Sequence, residues 1–184
     1  LSIKIIEDKD FISDEQKKTI TRMIGVNEGD VPELPFYVSD SCVEGDGIPF
    51  MYHTIVGRAE HGWKDIGTIM SPHYEFFFDL LRDFALNNDI QVNGVLRCCV
   101  NLTMPTGSDS KGSWHYDHDF DYKHLIIYLN DGFTGNASTL VEIDGEVIEI
   151  DPEIYKGVYF SKRCNHAMTY PDTGCRIVVV YTFV

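Results

Sequence analysis

Near its C-terminus the chain reads Arg176-Ile177-Val178-Val179-Val180-Tyr181-Thr182-Phe183. β-Branched and aromatic residues dominate this stretch, as suits a strand. From Ile177 to Tyr181 it is apolar at odd and even positions alike, and successive strand residues point to opposite faces. Such a strand has to be covered on both sides. An opposing sheet and helices from the first half of the chain are the expected covers. Between residue 90 and this strand, further candidate strands are Leu96–Leu102, His124–Leu129, Thr139–Ile143, Glu146–Ile150, Gly157–Phe160 and Ala167–Tyr170. Asp144-Gly145, flanked by apolar alternation, marks a two-residue hairpin. Short strands at even spacing predict a sandwich or jelly roll.

The first half has a different texture. Ser13 and Gln16 are spaced as a capping box for a helix reaching about Met23. Ser71-Pro72 reads as an N-cap followed by proline at the first helical position. Phe77, Leu80, Leu81 and Phe84 then recur at helical spacing. Val31 to Gly57, rich in Pro, Gly, Asp and Ser, predicts loops and short strands. We therefore expect one domain over residues 1–184, mainly β with flanking α. Residues 1–94 would form a helical, loop-rich support and residues 95–184 the jelly-roll core.

The 184 residues are 43% apolar, enough for one sizeable core. A formal net charge of -14 leaves no basic stripe for a phosphate backbone, so no nucleic-acid partner is expected. No apolar run approaches the roughly 20 residues that a membrane-spanning helix needs. Leu1 to Asp10 lacks the apolar region of a signal peptide. The five cysteines form no C-x-x-C and no even framework, which suits a reducing, cytoplasmic setting. Oligomeric state is left open.

Trp114-His115-Tyr116-Asp117-His118-Asp119 carries the chemistry. In an extended segment residues two apart share a face, so His115 and Asp117 present an imidazole and a carboxylate together. Asp119 lies on that face as a rival ligand, while His118 points away. His166, 51 residues on, is the candidate third ligand. Two histidines and a carboxylate with open positions are the donor set of non-haem Fe(II) oxygenases. Arg176 is the one charged residue of its strand, and a guanidinium in apolar surroundings needs an anion. That anion is either a protein carboxylate or a ligand carboxylate held bidentately. The turn at Pro171-Asp172-Thr173-Gly174 would put Arg176 on a strand adjacent to that of His166.

Taken in order, His115-Tyr116-Asp117, Leu125-Ile126-Ile127-Tyr128-Leu129-Asn130, Gly157-Val158-Tyr159-Phe160, His166 and Gly174-Cys175-Arg176 resemble the 2-oxoglutarate/Fe(II) dioxygenases, in their prolyl-hydroxylase-like branch. The likeness spans about residues 95 to 184. Pro35-Phe36-Tyr37 and Phe50-Met51-Tyr52-His53 resemble small bacterial and phage oxygenases of this type. The resemblance implies a double-stranded β-helix and Fe(II) bound by His115, Asp117 and His166. It also implies 2-oxoglutarate held at its far carboxylate by Arg176, with the Tyr128 hydroxyl as a second contact. O2 would be the other co-substrate, and ascorbate is a reductant the resemblance allows. The partner would be a small-molecule or peptide substrate.

One departure concerns the hydroxyl residue that many relatives carry two or four positions after the arginine. Val178 and Val180 stand there. A zinc site of Cys164, His166 and Cys175 is an alternative that lacks paired spacing. A non-catalytic, cupin-like module using the same barrel is the alternative function. Trp114, Tyr116, Tyr52, His53 and Trp63 are candidates for a substrate cleft, and Arg97 and Asn101 could face the site.

Overall fold

The computed structural model describes residues 2–25, 31–43, 46–59, 66–107 and 111–184. In chain order their elements are β1 (Ile5–Asp8), α1 (Asp14–Ile24), β2 (Tyr37–Ser39), β3 (Phe50–Gly57), β4 (Thr68–Ile69), α2 (Tyr74–Asn87), β5 (Val95–Thr103), β6 (Lys123–Tyr128), β7 (Thr139–Ile143), β8 (Glu146–Ile150), β9 (Gly157–Phe160), β10 (Asn165–Met168) and β11 (Arg176–Phe183). The larger sheet runs β1-β9-β6-β11-β5-β3-β2, with β4 beside β3, and the smaller runs β10-β7-β8. Every strand pairing is antiparallel.

β11 lies mid-sheet and is buried along its whole length. Ile177, Val179, Tyr181 and Phe183 pack with Leu125 and Ile127 against the helical face formed by Ile20, Phe77, Leu80, Leu81 and Phe84. Val178 and Val180 join Ile126, Tyr128, Val158 and Phe160 on the other face, against Val141, Ile150 and Cys164 of the smaller sheet and its flank. The doubly apolar strand is thus covered by helices on one side and a sheet on the other. A three-layer arrangement follows from that one stretch of sequence.

The hairpin forms where Asp144-Gly145 places it. Ile143 pairs with Glu146, and Asp144 and Gly145 both have positive φ, 53° and 84°. Those values give a turn whose twist matches the strands. α1 begins at the expected capping box, Ser13 accepting from the Gln16 amide and Gln16 Oε1 from the Ser13 amide. α2 begins at Tyr74, two residues later than Ser71-Pro72 predicts. The Ser71 hydroxyl is already held by His53 Nε2 at 2.9 Å and accepts from the His73 amide. It therefore closes a turn ahead of the helix instead of capping it.

The first half is also more than helix and loop, since β1 and β3 both enter the larger sheet. β3 pairs with β5 through a bulge between Thr54 and Val56. The bulge puts Ile55 and Val56 both inside, and this hides the period-two pattern. β1 is an edge strand carrying Glu7 and Asp8, a charged border that sequence alone does not mark as strand. Among the described residues no helix is long and apolar enough to cross a membrane.

Gly157 shows how closely helix and sheet approach. A Cβ built there would lie 2.6 Å from the ring of Phe84, which itself meets Phe11 edge-on. Gly157→Ala should destabilise the protein by about 1–3 kcal/mol through overpacking. Urea denaturation checks this, and an unchanged midpoint would mean that α2 moves aside freely.

Candidate metal centre

Register on the larger sheet decides which side chains meet. Thr182 of β11 lies between Arg97 of β5 and His124 of β6; Val180 lies beside Ile126, and Val178 between Asn101 and Tyr128. Arg176 opposes Thr103 at the other end of the strand. Directly paired residues share a face. The inner face therefore grades from a polar row, Arg97–Thr182–His124, across apolar Val180, Ile126 and Val178, to Arg176.

The opposite wall is built by β10 and the segment that leads into Asp117. His115 and His166 exchange both backbone hydrogen bonds, the His115 amide to the His166 carbonyl at 3.0 Å and the reverse at 3.1 Å. This reciprocal pair turns both imidazoles to one side, with ring centroids 4.3 Å apart. Each Nδ1 faces the carbonyl two residues before it, Ser113 at 3.0 Å and Cys164 at 3.2 Å. An Nδ1–H donated to those carbonyls leaves each Nε2 with a free lone pair, the tautomer that metal-binding histidines adopt.

The expected extended run from Trp114 to Asp119 is a bridge at His115 alone. Beyond it the chain turns, because the Asp117 amide donates to the Tyr122 hydroxyl at 2.9 Å. The turn carries the Asp117 carboxylate under the two histidines. Its Oδ1 accepts from Arg97 and from Arg58, each at 3.0 Å. Its Oδ2 is buried and has no hydrogen-bond partner among the described residues. His166 Nε2 lies 3.6 Å and His124 Nε2 3.7 Å from that oxygen.

Burial alone would raise the Asp117 carboxyl. Arg97 first, then His124, His166 and Arg58, hold it well below the usual carboxylate range. Burial pushes His166 down despite Asp117, and pushes His124 down to about 3, aided by His166. The centre thus joins an ionised Asp117 carboxylate to neutral His166 and His124, the protonation states that binding a divalent cation requires. Separations of 3.6–3.7 Å between donor atoms leave room for a cation between them. The residues present fit a metal.

Arg176 is 3% exposed, and among the described residues no carboxylate pairs with it. Its guanidinium donates to Thr139 Oγ1 at 3.0 Å, touches Met168 Sδ at 3.6 Å and lies 5.2 Å from the Tyr128 ring centroid. β10 and β11 are not neighbours in one sheet, contrary to the expectation from the Pro171–Gly174 turn. That link crosses between sheets, so Arg176 reaches Thr139 and Met168 over the cavity. Thr139 pairs with Met168, and Val141 pairs with His166 two residues along. Two strand residues span about 7 Å, a length comparable to a five-carbon diacid.

Among the described residues seven buried side-chain polar atoms lack a partner, and six belong to residues lining this cavity. They are Asn101 Oδ1, Asp117 Oδ2, both nitrogens of His124, the Tyr170 hydroxyl and Arg176 Nε. Orphaned buried polar groups are costly. Their concentration on one cavity points to a polar occupant.

Of the sequence candidates, His115, Asp117, His166, Arg176, Arg97 and Asn101 all line the cavity. Tyr128 does not. Its hydroxyl is bonded to Thr139 at 2.7 Å, so Thr139 presents the hydroxyl that faces Arg176. Asp119 is absent from the lining, and His118 bonds the Thr182 hydroxyl at 2.8 Å. Cys175 packs toward the helical core. Cys164 has its thiol pushed up to about 12 by burial, but its donor atom is grouped with those of His124 and His166 within 4.8 Å. Tyr116 is half-exposed under Arg163, Trp114 is exposed, Tyr52 lines a neighbouring groove, and His53 is tied to Pro35 and Ser71. Trp63 lies outside the described residues.

Sequence reasoning missed His124, Thr139 and Arg58. His124 and Thr139 open apolar strands, where a polar residue reads as a boundary. The available signal was alternation, since His124 shares its face with Ile126 and Tyr128.

No family model and no curated protein matches the sequence. Solved structures do match the fold. An oxidoreductase of the 2OG-Fe(II) oxygenase family from Burkholderia pseudomallei is 17% identical with a TM-score of 0.72, over 98% of this chain and 84% of that one. A prolyl hydroxylase from Trichoplax adhaerens, solved with a hypoxia-inducible-factor peptide, is 13% identical with a TM-score of 0.62, over 97% and 82%. A Pseudomonas putida prolyl-4-hydroxylase is 14% identical with a TM-score of 0.60, over 97% and 91%. The chain has the fold of these oxygenases.

Asp117 is the counter-ion of Arg97, so Asp117→Asn should destabilise the metal-free protein by on the order of 3 kcal/mol, the cost of stranding a buried charge. Combining it with Arg97→Met should recover part of that loss in urea denaturation. Strict additivity of the two substitutions would deny the coupling.

Proposed function

We propose that the chain is an Fe(II)- and 2-oxoglutarate-dependent dioxygenase that hydroxylates a C–H bond of a peptide or other small molecule. One observation carries the reading. A single cavity has an unpartnered carboxylate oxygen among imidazoles at one end and, against Met168 and Thr139 two strand positions from His166, a buried guanidinium with no carboxylate partner among the described residues.

On this reading His115, Asp117 and His166 hold Fe(II), while Arg97 and Arg58 keep Asp117 Oδ1 occupied so that Oδ2 alone is offered. Arg176 takes the far carboxylate of 2-oxoglutarate together with Thr139, and Tyr128 aims the Thr139 hydroxyl. Val178, Val180 and Ile126 line the stretch between and keep water from the chain of the acid. When bound, the iron and its co-substrate supply the oxidation, consuming O2 and releasing succinate and CO2 as one oxygen atom enters the substrate. The fold shared with prolyl hydroxylases, one of them solved with a peptide, supports a peptide as one substrate class. A cupin-like module that only binds metal has no use for Arg176 in this position.

Anaerobic addition of 2-oxoglutarate to the Fe(II) protein should produce the weak visible charge-transfer band of a metal–keto chelate, absent in Asp117→Ala. Arg176→Ala should weaken 2-oxoglutarate binding by about 2–5 kcal/mol, as for a buried charge pair cut on one side. Succinate release against proline peptides and free amino acids then identifies the substrate class. A folded protein that binds Fe(II) but gives no band would return the chain to the metal-binding module.

A further inference from the structure

His124 is fully buried, and among the described residues neither of its ring nitrogens has a partner. It lines the cavity, with Nε2 3.7 Å from Asp117 Oδ2 and its ring centroid 4.8 Å from that of His166. Its cross-strand neighbour Thr182 bonds His118 at 2.8 Å and makes no hydrogen bond to His124. A neutral imidazole carries one donor and one acceptor, and burying both unmatched is unfavourable unless an occupant of the cavity meets one of them.

Two roles are open to a third imidazole here, and the hydrogen bonds divide them. His115 and His166 each have Nδ1 anchored on the carbonyl two residues earlier, the support that fixes a metal-binding ring. His124 has no such anchor on either nitrogen. Its donor atom lies within 4.8 Å of those of Cys164 and His166, but its unanchored ring leaves a nitrogen to donate to a bound oxygen atom.

We propose that His124 is a binding residue for the metal-side carboxylate of the 2-oxo acid, donating a hydrogen bond to it at the end of the cavity opposite Arg176. The inference rests on the dioxygenase reading and assigns the second anchor of the co-substrate. The acid is then held by two protein groups at two ends: Arg176 measures its length, and His124 recognises the 2-oxo carboxylate. Ile126, two residues along the same strand face, fills the interval between them.

Oxalate separates the two anchors, because it chelates the metal yet is too short to reach Arg176. In the Mn(II)-loaded protein, His124→Leu should weaken both 2-oxoglutarate and oxalate by about 10- to 100-fold, the range for a lost hydrogen bond to a charged group. Arg176→Ala should weaken 2-oxoglutarate alone. Mn(II) affinity itself, read by EPR, should stay within a few-fold in His124→Leu and collapse in His166→Ala. His124→Gln, which retains an N–H donor, should recover part of the oxalate affinity. Unchanged oxalate affinity in a folded His124→Leu would overturn the proposal, as would loss of Mn(II), which would make His124 a metal ligand. Wild-type protein that binds Mn(II) but neither acid would remove the dioxygenase reading and this inference together.

Discussion

The site depends on two backbone hydrogen bonds, those that His115 and His166 exchange. Nothing in the chain's local preferences draws these residues together, because a long hairpin-bearing excursion separates them. Once the bridge closes, the pairing geometry does the rest. Both imidazoles project to one side, and each Nδ1 finds a carbonyl two residues back. A one-residue slip would turn one ring to the opposite face. The smaller sheet serves mainly to hold that register, since β10 pairs on its other edge with β7.

Charge then sets what the site can accept. A buried carboxylate is ordinarily under pressure to take up a proton. Here Arg97 and Arg58 both bond one oxygen of Asp117, keeping the group ionised while leaving the second oxygen without a partner. Rigid support of one oxygen limits the carboxylate to offering a single lone-pair direction. Arg97 comes from β5 and Arg58 from just beyond β3, so the larger sheet positions the carboxylate from below while the loop positions it from above.

The fold was legible where one strong pattern sufficed. The doubly apolar run from Ile177 to Tyr181 called for cover on both faces, and Asp144-Gly145 set its own hairpin. β1 and β3 were not legible, the first because an edge strand carries charge, the second because its bulge breaks alternation. In the site, H-x-D spacing and a lone arginine in an apolar strand singled out His115, Asp117 and Arg176, and the structure brings all three to one cavity with His166. Thr139 and His124 were hidden for a common reason. Each is the first or second residue of its strand, where a polar side chain looks like an end cap, and only the register across sheets shows it facing inward. The arginine was expected to meet the Tyr128 hydroxyl, but the facing sheet supplies Thr139 instead, and Tyr128 bonds that threonine.

The two ends of the cavity are unequal in a way that bears on the order of binding. At the Asp117 end the anion is already neutralised by arginines, so a cation arriving alone gains from the imidazole lone pairs and the free Oδ2. At the Arg176 end the cation is buried among Thr139, Met168 and the Tyr128 ring, with no acid paired to it among the described residues. A dianion arriving alone would satisfy Arg176 but would bring its second carboxylate toward the lone pairs of Asp117 Oδ2 with no cation to bridge the two oxygens. With the metal in place, that second charge meets a cation. On the dioxygenase reading, metal and diacid therefore favour one another, and by linkage each strengthens the other's binding equally. The unpaired guanidinium and the unpaired carboxylate oxygen belong to one device, each incomplete until the cavity holds both a cation and an anion.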